Sequence, residues 1–169
     1  MLKIINELSP FFEDCYRRIN VREYAKIMGM SPPTASKSLD YYGSESLLLK
    51  EKFRNYTMFY ANKESRQFID LSRIYWSIKL KELADFMEKR LAAPEIVLFG
   101  SLSKAEAKAD SDIDLAVFAH KKTWDLSGFE KKLKRKIEVF WFNSAQGIKS
   151  RELANNIMNG YILKGHLHL

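Results

Sequence analysis

From Ser65 to about Arg90 the chain contains neither Gly nor Pro, and its apolar residues recur at helical spacing. An unbroken helical pattern of that length splits the sequence into residues 1–64, a linker helix over 65–92 and residues 93–169. Phe68, Leu71, Tyr75 and Ile78 form one stripe on this helix, and Trp76, Leu80, Leu83 and Met87 form another. Two stripes predict burial on two sides, against the first segment and against either the last segment or a second copy of the chain. A homodimer is therefore one expected assembly. Ala92, Ala93 and Pro94 then break the helix. Each flanking segment is smaller than a typical domain of ~100–150 residues, so the expectation is an α+β protein of two small domains.

Composition narrows the setting. Of 169 residues, 46% are hydrophobic and 29% charged, with seven Gly, four Pro and one Cys. These values exclude collagen, low-complexity disorder and a disulfide scaffold. Cys15 has no second cysteine to pair with. It follows Leu8 and Phe12 in an apolar helical pattern, is expected in the core, and suits a reducing cytoplasm. No apolar run approaches the ~20 residues that span a bilayer, and the N-terminus lacks the pattern of a signal peptide, so a cytoplasmic protein without a membrane partner is expected. The net charge of +7 divides as +4 over the first ninety residues and +3 over the rest. A diffuse basic excess suits a polyanionic partner such as nucleic acid or nucleotide, and is also common in ordinary soluble proteins.

In the first segment Asn20 can cap a helix whose Val21, Tyr24, Ala25 and Met28 share one face, and Gly29 can end it. Ser31 caps again, with Pro32 at the first helical position. In this second helix Ala35, Leu39 and Tyr42 share one face, while Thr34, Lys37, Ser38 and Tyr41 line the other. Two strands follow, Leu47 to Phe53 and Tyr56 to Ala61, around Arg54 and Asn55. Lys50, Lys52 and Arg54 alternate onto one side of that hairpin. The order helix, turn, helix, basic hairpin resembles the winged helix-turn-helix family over about Asn20 to Asn62, with S-P-P-T-A-S-K-S-L in place of its recognition helix. The resemblance implies binding of double-stranded DNA, with Thr34, Lys37, Ser38 and Tyr41 facing the groove and Lys50, Lys52 and Arg54 on phosphates. Such domains also serve as protein-interaction modules. Without either role these residues make a solvated helix face and a hairpin whose lysines protect an edge strand.

After Pro94 the pattern changes to strand. Glu95 to Phe99 (E-I-V-L-F) runs directly into Gly100 and Ser101, where glycine permits a sharp turn and close approach of a ligand. From Asp110 to Phe118 the sequence alternates: Ile113, Leu115 and Val117 point one way, Asp112 and Asp114 the other. Side chains at i and i+2 of a strand share a face about 6.5–7 Å apart. Two carboxylates so placed can hold hard divalent cations, with phosphate oxygens completing the shell. Aspartate is a poor strand former, so the pair calls for such an explanation. Ile137 to Phe142 (I-E-V-F-W-F) is a second β-forming run, interrupted only by Glu138. Glu138 reaches the same cation if the two strands are neighbours; otherwise it faces solvent or pairs with Lys132, Lys134, Arg135 or Lys136.

These elements in this order resemble the nucleotidyltransferase superfamily that includes DNA polymerase beta, most closely its minimal prokaryotic branch. The layout is G-S at Gly100 and Ser101, ten intervening residues, D-x-D at Asp112 and Asp114, then a later acidic residue; Asn156 to Leu163 is similar to the short helical tail of these domains. The resemblance implies a mixed β-sheet with flanking helices over about Pro94 to Gly165. It further implies a Gly100–Ser101 turn that holds a triphosphate, with Asp112, Asp114 and Glu138 as catalytic and metal-binding carboxylates. Two Mg2+ ions about 3.5–4 Å apart would serve transfer of a nucleoside monophosphate from a nucleoside triphosphate, ATP being the expected one. Lys104 is expected near the phosphates; Lys108 is expected in solvent. Ala105 replaces a frequent second glycine, Leu102 a longer polar or aromatic residue, and Glu138 the more usual aspartate. In the minimal branch the acceptor is often a partner protein, commonly a HEPN-type toxin, so a toxin–antitoxin role with the winged helix acting on its own operon is expected by analogy. The other reading is a transcription regulator whose nucleotidyltransferase-like domain senses nucleotide or binds a partner without catalysis.

Other chemistries have less in their favour. His120, His166 and His168 are not at zinc-ligand spacing with cysteine or paired glutamate, and the last two are expected at the surface. Neither a G-x-x-x-x-G-K motif nor a Rossmann fingerprint is present.

Overall fold

A computed structural model describes residues 2–166; His168 lies outside the described residues. The chain divides into two compact units, Met1–Ser72 with Ala105–Ala109, and Arg73–Lys104 with Asp110–Leu169. Together they give an α+β protein containing a mixed sheet.

The first unit starts with two short helices, α1 (Lys3–Glu7) and α2 (Ser9–Glu13), which carry Ile5, Leu8, Phe11 and Phe12 into the core. Cys15 is buried, and its backbone N–H donates to Ala107 O at 2.8 Å. A two-residue strand, β1 (Ile19–Asn20), leads into α3 (Val21–Met28). Asn20 Oδ1 caps α3 by accepting from the Glu23 N–H, and Gly29 ends it at φ +63°. Helix α4 (Pro32–Ser44) follows the Ser31 cap and buries Ala35, Leu39 and Tyr42. Strands β2 (Leu48–Phe53) and β3 (Tyr56–Ala61) form the hairpin, and β1 adds to β3 to give the order β1-β3-β2. The sequence held no signal for β1, since two residues are too few to show alternation. The buried Glu7 carboxylate accepts the Tyr42 hydroxyl at 2.5 Å, and the Tyr24 hydroxyl donates to Glu7 O at 2.8 Å. Burial, with the charge of Glu7 beside it, raises both phenols well above their ordinary range.

Helix α5 (Arg66–Glu88) belongs to the first unit as far as Ser72 and to the second from Arg73. The two expected stripes become one broad buried band of Phe68, Ser72, Tyr75, Trp76, Leu80, Leu83, Ala84 and Met87. Ile78, expected in the first stripe, is 41% exposed. It stands two residues from Trp76, about 200° away around an α-helix.

In the second unit, β4 (Glu95–Phe99) turns directly into a one-turn helix, α6 (Gly100–Ser103). Strand β5 (Ile113–Phe118) runs antiparallel to β4, and β6 (Ile137–Phe142) runs parallel to β5 after α7 (Ser127–Leu133). A 3-10 turn (Ala145–Gly147), α8 (Arg151–Met158) and a final strand, β7 (Tyr161–Lys164), complete a sheet of order β6-β5-β4-β7. One face of this sheet buries Val97, Phe99, Ala116 and Phe118 with Ile157 of α8, flanked by Phe140, Phe142 and Leu153.

Two expectations need correction. The tail from Asn156 to Leu163 is helical only as far as Met158 and then forms β7 beside β4. Gly160 causes the change: a Cβ there would lie 2.6 Å from Leu98 O, so the chain passes against β4 only with glycine at that point. The strand expected from Asp110 begins at Ile113, which leaves Asp112 just ahead of it. The ladders end there, since β4 stops at Phe99 opposite Asp114 and β6 starts at Ile137 opposite Ile113.

Candidate active site

The sheet register assembles the polar end of the apolar face. Asp114 pairs with Phe99 on one side and with Glu138 on the other. In-register residues of neighbouring strands present their side chains to the same face about 4.8 Å apart, so the two carboxylates stand side by side. Asp112, two residues before Asp114, is half-buried, and its charge acts on Asp114. Glu138 is exposed. Of the cations that might have paired with it, Lys132 instead meets Glu82 at 2.6 Å, and Arg135 donates to Ser111 O.

Gly100 closes the site from below. Its φ of +71° favours glycine, and a Cβ built there would lie 2.2 Å from Asp114 Oδ2. The backbone of the G-S turn therefore rests directly on the aspartate. Ser101 beside it is half-buried. Ser103 Oγ donates to Gly100 O at 2.9 Å, and Arg73 Nε donates to Ser103 O at 2.8 Å, which fixes this short helix. Lys104, expected at the phosphates, donates from Nζ to Asn156 Oδ1 at 2.7 Å and is thereby tied to α8. Asn156 carried no sequence signal for this role, being 52 positions away. Leu102 is fully buried, which accounts for an apolar residue there, and Ala105 takes φ +56°, the left-handed conformation in which glycine is frequent.

Burial, and then the charges of Glu138 and Asp112, raise the Asp114 carboxyl to about 6. An all-oxygen set with uncompensated negative charge suits a hard divalent cation. Among the described residues no three His, Cys, Asp or Glu side chains gather closely enough to hold such an ion by themselves. Oxygens of a bound nucleotide would have to complete its shell.

In the first unit, Thr34, Lys37 and Tyr41 are exposed on α4 and Ser38 is half-buried. With Lys3, Ile4, Glu7 and Tyr42 they line a depression of about 480 Å³. Lys52 and Arg54 are exposed on the hairpin, while Lys50 Nζ lies 3.8 Å from Asp40. Lys108 is exposed and stands 5.7 Å from the Tyr16 ring. His120 and His166 are exposed. No described helix is long and apolar enough to cross a membrane.

Neither a curated protein nor a solved structure gives a significant match to the chain. Residues 81–163, just under half of the sequence, match the family described as Polymerase beta, Nucleotidyltransferase, and this stretch is similar to nucleotidyltransferase domains.

Proposed function

We propose that the second unit transfers a nucleoside monophosphate from a nucleoside triphosphate, ATP by expectation, to an acceptor. The observation that carries this reading is the register of Asp114 with Glu138 on β5 and β6, with Gly100 pressed against the same aspartate. Asp112, Asp114 and Glu138 would hold Mg2+, and the Gly100–Ser101 turn would bring its backbone to the triphosphate. Mg2+ held there, as two ions by family resemblance, would supply Lewis-acid chemistry to the acceptor hydroxyl and positive charge toward the pyrophosphate leaving group. Asp114 and Glu138, in register on β5 and β6, with Asp112 just ahead of β5, would supply the oxygen donors for that cation. Lys104, held by Asn156, adds positive charge at the end of α6. By family resemblance the acceptor we propose is a partner protein, a HEPN-type toxin or another protein. The setting is a cytoplasmic toxin–antitoxin pair.

For the first unit we propose a winged helix that reads double-stranded DNA through Thr34, Lys37, Ser38 and Tyr41, with Lys50, Lys52 and Arg54 on phosphates. The succession of α3, the Gly29 turn, α4 and the β2–β3 hairpin supports it. The domain division that follows from both readings is 1–64, 65–92 and 93–169. A homodimer is supported by Ile74 and Ile78, one turn apart and both exposed on α5; sedimentation as a monomer at micromolar concentration overturns it.

The test of catalysis is incubation with α-labelled ATP, Mg2+ and candidate acceptors. Label transfer that disappears in an Asp112→Ala, Asp114→Ala double variant supports the site, and undiminished labelling rejects it. Binding of nucleotide without transfer to any acceptor favours the second reading, a DNA-binding regulator whose nucleotidyltransferase-like unit senses nucleotide.

A further inference from the structure

Arg135 is buried, 8% exposed, at the entry to β6. The preceding Lys134 takes a left-handed φ of 56°, and the Arg135 backbone N–H donates to Glu130 O at 3.3 Å. This turn sends the side chain inward. Its guanidinium carbon lies 5.1 Å from the centre of the Trp76 ring, and Nη1 donates to Ser111 O at 2.5 Å.

Ser111 is the residue before Asp112. On the other side of Asp112, the Ile113 N–H donates to Lys136 O at 2.9 Å. The backbone of Asp112 is thus suspended between two hydrogen bonds anchored at consecutive residues, 135 and 136, that lead directly into Glu138. Asp112 lies outside the β-ladders, so the bond from Arg135 does the work there that strand pairing does for Asp114.

We propose that Arg135 is a positioning residue that fixes Asp112 relative to Asp114 and Glu138, and so tunes the cation affinity of the carboxylate cluster. The inference rests on the carboxylate site proposed above. Partners that orient metal ligands typically change metal affinity 10–100-fold when removed.

The test measures ATP affinity by calorimetry for the full chain, with Mn2+ and with EDTA. The ratio of the two is the metal-dependent gain. Arg135→Met should lower that gain about 10–100-fold while leaving ATP affinity in EDTA and the melting temperature near wild type. A merely structural role would move the last two instead. Should the methionine variant fail to melt cooperatively, Arg135→Gln replaces it: its amide ends two bonds short of the Ser111 carbonyl, and the same loss is expected. Asp114→Asn serves as the reference. If Asp114→Asn abolishes the gain and the Arg135 variant retains it in full, the positioning role is overturned and the carboxylate site stands. If the wild-type protein shows no gain, or Asp114→Asn keeps it, the site itself is rejected and the inference with it.

Discussion

A Cβ on Gly100 would lie 2.2 Å from Asp114 Oδ2, so the turn that closes β4 and the aspartate on β5 are in contact by way of a missing side chain. Gly100→Ala must therefore displace Asp114 as well as adopt a left-handed backbone, which costs about 1–2 kcal/mol for a non-glycine residue. The expected total is a loss of at least about 2 kcal/mol in urea unfolding, together with weaker Mg2+-dependent ATP binding. A variant as stable as wild type would show that the contact is not tight.

Burial and two neighbouring carboxylates raise Asp114 to about 6 in the folded protein, against ~3.9 when unfolded. Between those values the native state binds the extra proton, so the contribution of Asp114 to stability is best below pH ~4, falls as pH rises to ~6 and is constant above it. Asp114→Asn removes this dependence. At pH 7.5 without metal it should be more stable than wild type by about 1–2 kcal/mol, discounted for partial solvent screening, and the advantage should vanish near pH 4. Paired unfolding curves across that range check the sign; a variant less stable than wild type at pH 7.5 contradicts it.

In the first unit, Glu7 is a buried carboxylate whose other partner, Lys3, is exposed and 3.7 Å away. Removing the Tyr42 hydroxyl leaves that charge under-satisfied, so Tyr42→Phe should cost about 1.5–3 kcal/mol by thermal or chemical unfolding. A change below about 0.5 kcal/mol would mean that water replaces the phenol without penalty.

If the hairpin contacts phosphates, each contact adds about one unit to the slope of log affinity against log salt. Lys52→Ala and Arg54→Ala should each reduce the slope on a short duplex by about 1, and Lys50→Ala by less, because Asp40 already engages that lysine. Unchanged slopes in all three variants would remove the hairpin from the interface.

How much the sequence disclosed depended on the range of the interaction that fixed each element. The caps at Asn20 and Ser31, the Gly29 stop and the hairpin around Arg54 are set by neighbours within a few residues, and they form where periodicity and cap chemistry placed them. So do β4 and β6, whose apolar runs are continuous. What depended on distant partners was hidden. β7 forms because Gly160 can approach Leu98 O, and β5 starts at Ile113 because its partner strands begin and end there. At the site, Asp114 and Glu138 were legible as anomalies, namely carboxylates in β-forming runs. Arg135 was legible only as a cation near Glu138, and its bond to Ser111 O follows from the left-handed Lys134, a conformation the sequence does not announce.

The central claim is that Asp114 and Glu138 act on one cation and its nucleotide. A double-mutant cycle of Asp114→Asn and Glu138→Gln, read as Mg2+-dependent ATP affinity, tests it most directly. Side chains that share a ligand should be coupled by more than about 1 kcal/mol, so that the double variant loses much less than the two single losses combined. Strictly additive losses, or no loss from Glu138→Gln, would contradict a shared site.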